Sequence, residues 1–359
     1  MNKVVKNFIF VTSEIGMGGA ERVFVNLANE LSKRGYKVTM ISMRKSRNPY
    51  KLNSEINHDI LNYSRARKML IYLFKKFKNT DSQTILLSTG HEINIVTALA
   101  CFLSSKLNSL IIRPTNSWKS DAVNTNYIGN YLLKKFIPFV RKIIFQSEEI
   151  KDSYKILVNV DLCKKSFFLK NPVEDSFFHE GKKKKLISNT NLKSMEICFI
   201  GRLEKQKNPF FAIEIIKEML FFNKNIKLNI YGEGSLKDDL LKKIKLMNLS
   251  SNINVHGFSN DVLLCMKSAT LLLNCSHYEG LPNSVLEMCA LGKPVVVPNK
   301  KFIPNEIKKM PNVIAYDDIS AKEVAKIILN IDFNSTLIGK EIYDYQTDKV
   351  CTNFLEEIS

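Results

Sequence analysis

"HYEGLPNSVLEMCALGKPVVVP", residues 277–298, sets two glutamates eight positions apart. Glu279 stands before a Gly-Leu-Pro turn, and Glu287 falls inside the helical pattern that follows. The preceding run "ATLLLNCS" (269–276) is apolar and reads as a buried strand. Asn283 and Ser284 begin the next helix after Pro282 has fixed the turn. Leu291-Gly292 ends that helix, and Pro294 prevents its continuation. The loop "EGLPNS" therefore lies where a strand's carboxyl end meets a helix N-terminus. Free backbone N–H groups and the positive end of the helix dipole suit such a place to phosphate or polarised sugar hydroxyls. Gly280 lets the backbone approach a ligand closely. Each glutamate also has a plainer reading. Ser284-Val-Leu-Glu287 has the form of a capping box, with Glu287 folding back on its own helix start. Glu279 reads equally as a solvated loop residue.

The same alternation of strand and helix runs through the chain. "NFIFVTS" (7–13) precedes "GAERVFVNLANELSKRG" (19–35), whose apolar residues recur at three- and four-residue steps, and "KVTMISM" (37–43) follows as a second strand. Further strand-like runs are "TILLST" (84–89), "SLIIRP" (109–114), "KIIFQS" (142–147) and "KSFFLKNPV" (165–173). The run "HEGKKKKLISNTNLKS" (179–194) is polar, lysine-rich and without apolar period, and reads as a linker or hinge-side loop. Alternation then restarts with "EICFIGR" (196–202), a helix over 209–222, "IKLNIYGEG" (226–234), a helix over 235–248 and "NINVHGF" (252–258). This order predicts parallel sheets with helices on both faces. Two doubly wound halves would bind ligand outside the carboxyl ends of their strands.

With 359 residues the chain is long enough for two ordinary domains. A hydrophobic content of 45% with 25% charged residues excludes a disordered chain. No apolar run reaches the roughly 18–20 residues that cross a bilayer. The first residues read as a strand and not as a signal peptide. Seven cysteines without a Cys-x-x-Cys pair, and five scattered histidines, predict a reducing cytoplasmic setting without structural metal. The net charge of +18 is uneven: residues 1–185 hold 32 Lys and Arg against 15 Asp and Glu, and residues 186–359 hold 21 against 20. A basic half implies an anionic neighbour such as nucleic acid, an acidic membrane face or a phosphorylated substrate, or else a solvated lysine-rich surface.

"FIGRLEKQKNP" (199–209) places Arg202 and Lys207 at the carboxyl end of another strand, just before a helix. Two cations there form a clamp for a diphosphate, with Arg pairing in bidentate fashion and Lys acting as a point charge. Two surface cations in a basic protein are the plainer reading. "YGEG" (231–234) is a glycine-bearing turn after a strand, and is weak in isolation.

Together, "GRLEKQKN", "LNIYGEGSLKDDL", "NVHGF" and "EGLPNSVLEMCALGKPVV" resemble, in order and spacing, the donor-binding domain of retaining glycosyltransferases of family four. "SEIGMGGAERVFVNLANELSKRGYKVTMIS" is similar to the glycine-rich opening of that family. The resemblance is strong over 8–42 and 196–298 and thin over 44–180. It implies an α/β chain of the GT-B fold: two doubly wound Rossmann-like domains facing each other across a cleft. The expected division is an acceptor-binding domain over 1–178, a linker over 179–194, a donor-binding domain over 195–340, and a helix over 341–359 crossing back. By the resemblance, Arg202 and Lys207 bind the nucleotide diphosphate, Glu287 holds the ribose and Glu279 contacts the transferred sugar. Gly280, Leu281, Pro282, Asn283 and Ser284 meet sugar and phosphate, and Gly18 and Gly19 face the donor phosphates or the acceptor. A histidine of the first domain touches the donor sugar in many members. His91 in "STGHEIN" is the candidate, while the other position, after "SLII", holds Arg113. A merely structural His91 is an equal reading.

The implied activity is retaining transfer of a hexose or related sugar from a nucleotide-sugar, most often a UDP-sugar, to a glycan acceptor. A polyprenyl-diphosphate-linked acceptor at the inner membrane face is the implied setting, in capsule, O-antigen or similar polysaccharide synthesis. No cofactor and no metal are expected. Two basic, apolar segments, "RARKMLIYLFKKFKN" (65–79) and "YLLKKFIPFVRKII" (131–144), fit either core-facing helices or helices at an anionic membrane interface. Competing readings are a GT-B-fold sugar-nucleotide epimerase, and a basic membrane- or nucleic-acid-binding protein without transferase activity. No zinc-finger or helix-turn-helix signature supports nucleic acid.

Overall fold

Alternating apolar runs and amphipathic helices build two parallel sheets, each in its own unit. The computed structural model describes residues 5, 7–16, 18–115, 117–118, 127–155, 162–183, 194–259, 261–279, 282–300, 305–333 and 338–359. One unit comprises Met1–Pro172 with Thr347–Ser359, and the other Val173–Gln346.

The first unit holds seven strands: β1 (Asn7–Thr12), β2 (Lys37–Ser42), β3 (Asn57–Ile60), β4 (Thr84–Thr89), β5 (Leu110–Arg113), β6 (Lys142–Phe145) and β7 (Ser166–Phe168). Their order is β3-β2-β1-β4-β5-β6-β7, and all pairs are parallel. Successive side chains of β1 serve opposite faces, as a strand requires. Phe8 and Phe10 enter a core with helices Gly19–Lys33 and Thr347–Ile358, while Ile9 and Val11 enter one with helices Leu70–Lys78, His91–Leu103 and Tyr127–Phe136. Each fully buried phenylalanine contributes about 1.5–3 kcal/mol against an exposed one. Strand β4 is buried along its whole length, as expected where helices cover both faces.

The second unit holds β8 (Met195–Ile200), β9 (Ile226–Tyr231), β10 (Ile253–Gly257), β11 (Leu271–Leu273), β12 (Val295–Pro298) and β13 (Val313–Tyr316), ordered β10-β9-β8-β11-β12-β13. The strands pair in parallel. Helices Pro209–Met219 and Ala321–Leu329 cover one face, and Asp175–Lys183 and Asn283–Ala290 the other. In each sheet the order of growth reverses once, between β1 and β4 and between β8 and β11. Such switch points leave a crevice at the strands' carboxyl ends.

The chain changes units at Pro172/Val173 and Gln346/Thr347, where 178/179 and 340/341 were expected. The expected linker over 179–194 falls only partly on described residues. Its first residues continue helix Asp175–Lys183, whose Phe177 and Phe178 are buried against helix Asn283–Ala290. The two phenylalanines stand just before the polar run, so that run alone showed no apolar period. A methyl group at Gly181 would stand 2.3 Å from the Ala290 carbonyl, so glycine permits this close helix crossing. Residues 184–193 lie outside the described residues. Residues 341–346 belong to the second unit, and 341–345 lie in the 3-10 helix Lys340–Tyr345.

Candidate functional site

The switch point of the second sheet gathers the predicted diphosphate residues. Strand β8 ends at Ile200, and the chain turns through Gly201 and Arg202 into a 3-10 turn, Lys205–Lys207. Asn208 takes the left-handed conformation (φ 51°), which asparagine tolerates, and Pro209 opens the next helix. Next to β8, strand β11 ends at Leu273 and runs on through Asn274, Ser276 and Glu279 to helix Asn283–Ala290.

Direct contacts join these two loops. Lys207 Nζ donates to Glu279 Oε1, and the Ser276 hydroxyl donates to the same oxygen at 2.6 Å. Asn274 Oδ1 accepts from the Ser276 amide at 3.0 Å, fixing the loop that presents that hydroxyl. Arg202 Nη2 donates to Gln206 Oε1 at 3.1 Å, and Gln206 Nε2 donates to the Tyr278 carbonyl at 3.0 Å. The Gln206 carbonyl accepts from the His277 amide at 2.8 Å. Arg202, Lys207 and Glu279 are thus held in one network by side chains and backbone from both strands.

The glycines of "YGEG" support that network from below. A methyl group at Gly232 would stand 1.9 Å from the Gly201 carbonyl oxygen, and one at Gly234 would stand 2.4 Å from that of Leu203. The backbones therefore touch: Leu203 N–H donates to Glu233 O at 2.9 Å, and Leu236 N–H to Leu203 O at 2.9 Å. Glu204 accepts from the Ser235 hydroxyl at 2.7 Å and amide at 2.8 Å, which holds its carboxyl below the usual range. At Gly201 a methyl group would crowd the Lys207 stem at 3.1 Å.

Glu287 lies in helix Asn283–Ala290 and is 4% exposed. The helix starts at Asn283 with Pro282 in the cap position, and Pro282 makes no side-chain cap bond. Ser284 is inside the helix, so the capping-box reading of Ser284 and Glu287 does not hold. Gly280 and Leu281 lie outside the described residues.

In the first unit the predicted residues also stand near a switch point, between β1 and β4, but their surroundings differ. Gly18 precedes helix Gly19–Lys33, and a methyl group there would stand 1.9 Å from Glu21 Oε2. Burial raises the Glu21 carboxyl above its usual range, against the opposing bond to its own amide and that from the Ser13 hydroxyl. A carboxylate of the chain itself thus covers this helix start. His91 opens helix His91–Leu103, its Nε2 2.7 Å from Asn130 Oδ1 and its ring edge-on to Trp118 at 5.2 Å. Arg113 ends β5 and is 1% exposed. Its Nη2 donates to Asn171 Oδ1 at 3.0 Å, while Nε and Nη1 meet no acceptor among the described residues. Burial lowers its guanidinium to about 10.

Among the described residues no three His, Cys, Asp or Glu side chains are grouped as a metal-ligand set, and no helix is long and apolar enough to cross a membrane.

Residues 181–331 match the family model described as glycosyl transferases group 1. Over 291 residues the chain is 26% identical to the GalNAc-alpha-(1->4)-GalNAc-alpha-(1->3)-diNAcBac-PP-undecaprenol alpha-1,4-N-acetyl-D-galactosaminyltransferase of Campylobacter jejuni, covering 77% of this chain and 75% of that protein. It is 25% identical over 316 residues to the amylovoran biosynthesis glycosyltransferase AmsD of Erwinia amylovora, covering 85% and 84%. Over residues 181–331 the chain is similar to the group 1 glycosyltransferases. Its fold is that of Anabaena HepE, solved with UDP-glucose, with a TM-score of 0.75 at 13% identity over 98% of each chain. Sequence reasoning missed Gln206, which joins the two loops, and Ser276 and Asn274, which order the second of them. Gln206 carried one signal, its place four residues after Arg202 and directly before Lys207.

Proposed function

We propose that this protein is a glycosyltransferase that moves a hexose or related sugar, with retention, from a UDP-sugar to a glycan acceptor carried on a polyprenyl diphosphate. The observation that carries the reading is the convergence of Arg202, Lys207 and Glu279 at the carboxyl ends of β8 and β11. In the proposed mechanism Arg202 and Lys207 receive the charge that builds on the departing diphosphate, a preorganised electrostatic role. Glu279 contacts the sugar, where oxocarbenium-like charge develops. Glu287 holds the ribose, and the start of helix Asn283–Ala290 faces the phosphates. The bond from the anomeric carbon to the diphosphate breaks as the acceptor hydroxyl attacks from the same face, and its proton passes to the leaving phosphate. No metal takes part in this scheme.

The uracil base is favoured by HepE, whose structures hold UDP, UDP with glucose, and UDP-glucose. A lipid-linked acceptor is favoured by relatives named for undecaprenyl-diphosphate glycans, and polysaccharide synthesis by AmsD. Such an acceptor sets the protein at the inner membrane face as a peripheral protein, with its basic half toward the lipid. The packing of His91 on Trp118 and Asn130 supports a structural role for that residue, so the scheme rests on Glu279.

Thermal stability with UDP, GDP and ADP, on wild type and on Arg202→Ala/Lys207→Ala, tests the donor reading. At a hundredfold its dissociation constant a ligand adds about 2.7 kcal/mol to the folded state. A shift with UDP that the double variant loses is the expected result. Equal silence with all three at millimolar concentration would sink it.

A further inference from the structure

Helix Tyr127–Phe136 turns two apolar faces in opposite directions. Gly129, Leu133 and Phe136 are buried toward the core. On the outer side Tyr127 is 83% exposed, Ile128 69% and Tyr131 50%, with Lys134 and Lys135 beside them. Tyr127 and Tyr131, and Ile128 and Tyr131, are four and three residues apart, so the three form one patch along the helix. The 3-10 turn Ile137–Phe139 follows, and there Phe139 is 64% exposed. Lys165 Nζ bonds the carbonyls on both sides of it, those of Pro138 and Val140, and so fixes the turn that holds this ring outward. Phe102, at the end of helix His91–Leu103, lies exposed and stacked on Phe136 at 5.0 Å, with the exposed Leu103 next to it.

The helix and its turn carry charge of one sign, that of Lys134 and Lys135. From Ile93 to Ser147 the sequence carries seven Lys and Arg residues and one acid, Asp121. Lys134 and Lys135 form no ion pair among the described residues, and Lys135 lies 5.5 Å from the centre of the Tyr131 ring. Exposed Tyr, Phe and Ile interleaved with exposed lysines suit the headgroup level of an anionic bilayer, where rings sit at the interface and lysines meet phosphates. Helix Leu70–Lys78 does not offer the same surface. Met69, Leu73 and Phe77 enter the core, so only Ile71 of its large apolar residues stands well exposed.

We propose that the outer face of helix Tyr127–Phe136, with Phe102, Leu103 and Phe139, is the surface by which this protein docks on an anionic lipid bilayer. The proposal rests on the lipid-linked acceptor proposed above and names the part of the chain that meets the lipid. A second copy of the chain is disfavoured as occupant, because pairing the patch with itself would bring Lys134 and Lys135 against their own copies.

The test uses the full chain with vesicles of phosphatidylcholine alone and with one-third phosphatidylglycerol. It compares wild type with Ile128→Ser/Tyr131→Ser/Phe139→Ser and with Lys134→Gln/Lys135→Gln. Wild type should sediment with the anionic vesicles only, and each variant should bind at least about tenfold more weakly. Melting temperatures and UDP-induced shifts should be unchanged in both, since every substituted side chain is outside the core. Equal binding by the variants, or no wild-type binding to anionic vesicles, overturns the proposal. So does a wild-type dimer in gel filtration that the triple variant abolishes. A retained UDP shift in those cases leaves the donor reading standing, and vesicle binding without any nucleotide shift fails that reading while sparing this one.

Discussion

Lys207 and Glu279 stand 72 residues apart in the chain and bond directly at the carboxyl ends of two neighbouring strands. Both side chains are largely buried, and the Ser276 hydroxyl shares the carboxylate. The pair is therefore at once a candidate catalytic contact and the clasp between the loops that follow β8 and β11.

Removing either partner leaves the other charge poorly compensated. Lys207→Met and Glu279→Gln are each expected to lower stability, and the double variant to lose less than the sum. The expected coupling is about 0.5–3 kcal/mol, as found for contacting groups. Denaturant midpoints of the four proteins measure it; strictly additive losses would mean that the contact contributes nothing.

A clasp and a catalytic group differ in what activity reports. If Glu279 contacts the transferred sugar, Glu279→Gln should slow transfer by about 10²–10³, the scale of losing one preorganised polar contact. Its UDP-induced thermal shift should survive, because Arg202 and Lys207 remain. Loss of that shift along with the rate would assign Glu279 to holding the loops.

The YGEG turn makes a steric prediction. Alanine at Gly234 would place a methyl group 2.4 Å from the Leu203 carbonyl oxygen and 2.7 Å from its amide nitrogen. The Arg202 loop must then shift, at a cost of about 1–3 kcal/mol typical of overpacking. Gly234→Ala should therefore weaken UDP binding although residue 234 carries no ligand group. Calorimetry with UDP showing wild-type affinity would remove the buttressing role.

Much of this was legible because the residues concerned are periodic or local. The strand runs of β1, β4, β8 and β12 centre on apolar stretches, Arg202, Lys207 and Glu279 fall at turns marked by glycine, proline and asparagine, and Glu287 lies in the helix that such a turn opens. What escaped was set by distant neighbours. Strand β3, "NHDI", is a polar edge strand whose form comes from pairing with β2, and β13 is four residues at the opposite edge of its sheet. Gln206 has no spacing rule that predicts a bond to Tyr278, since the loops meet only after β8 and β11 pair. The stripe Met69, Leu70, Leu73 and Phe77 fitted a core face first and a membrane face second, and the burial of Met69, Leu73 and Phe77, with Leu70 packed against them, decides for core.

The last prediction concerns Glu21, whose carboxyl burial raises above its ordinary value of 4.5. A raised folded-state value means that the folded chain holds this proton more tightly than the unfolded one. Stability therefore falls as pH rises through the window between the two values, and the loss is complete above the folded one. Below pH 4.5 the group is neutral in both states and carries no such penalty. Glu21→Gln keeps the shape and removes the ionisation, so its melting temperature should gain on wild type between pH 4 and pH 7. The Ser13 hydroxyl, 3.3 Å from Oε1, and the nearby Arg113 favour the ionised form and limit the gain without changing its sign. Thermal melts of both proteins across that range measure it. A wild type that gains on the variant toward pH 7 would show that Arg113 and the helix start stabilise the carboxylate more than burial penalises it.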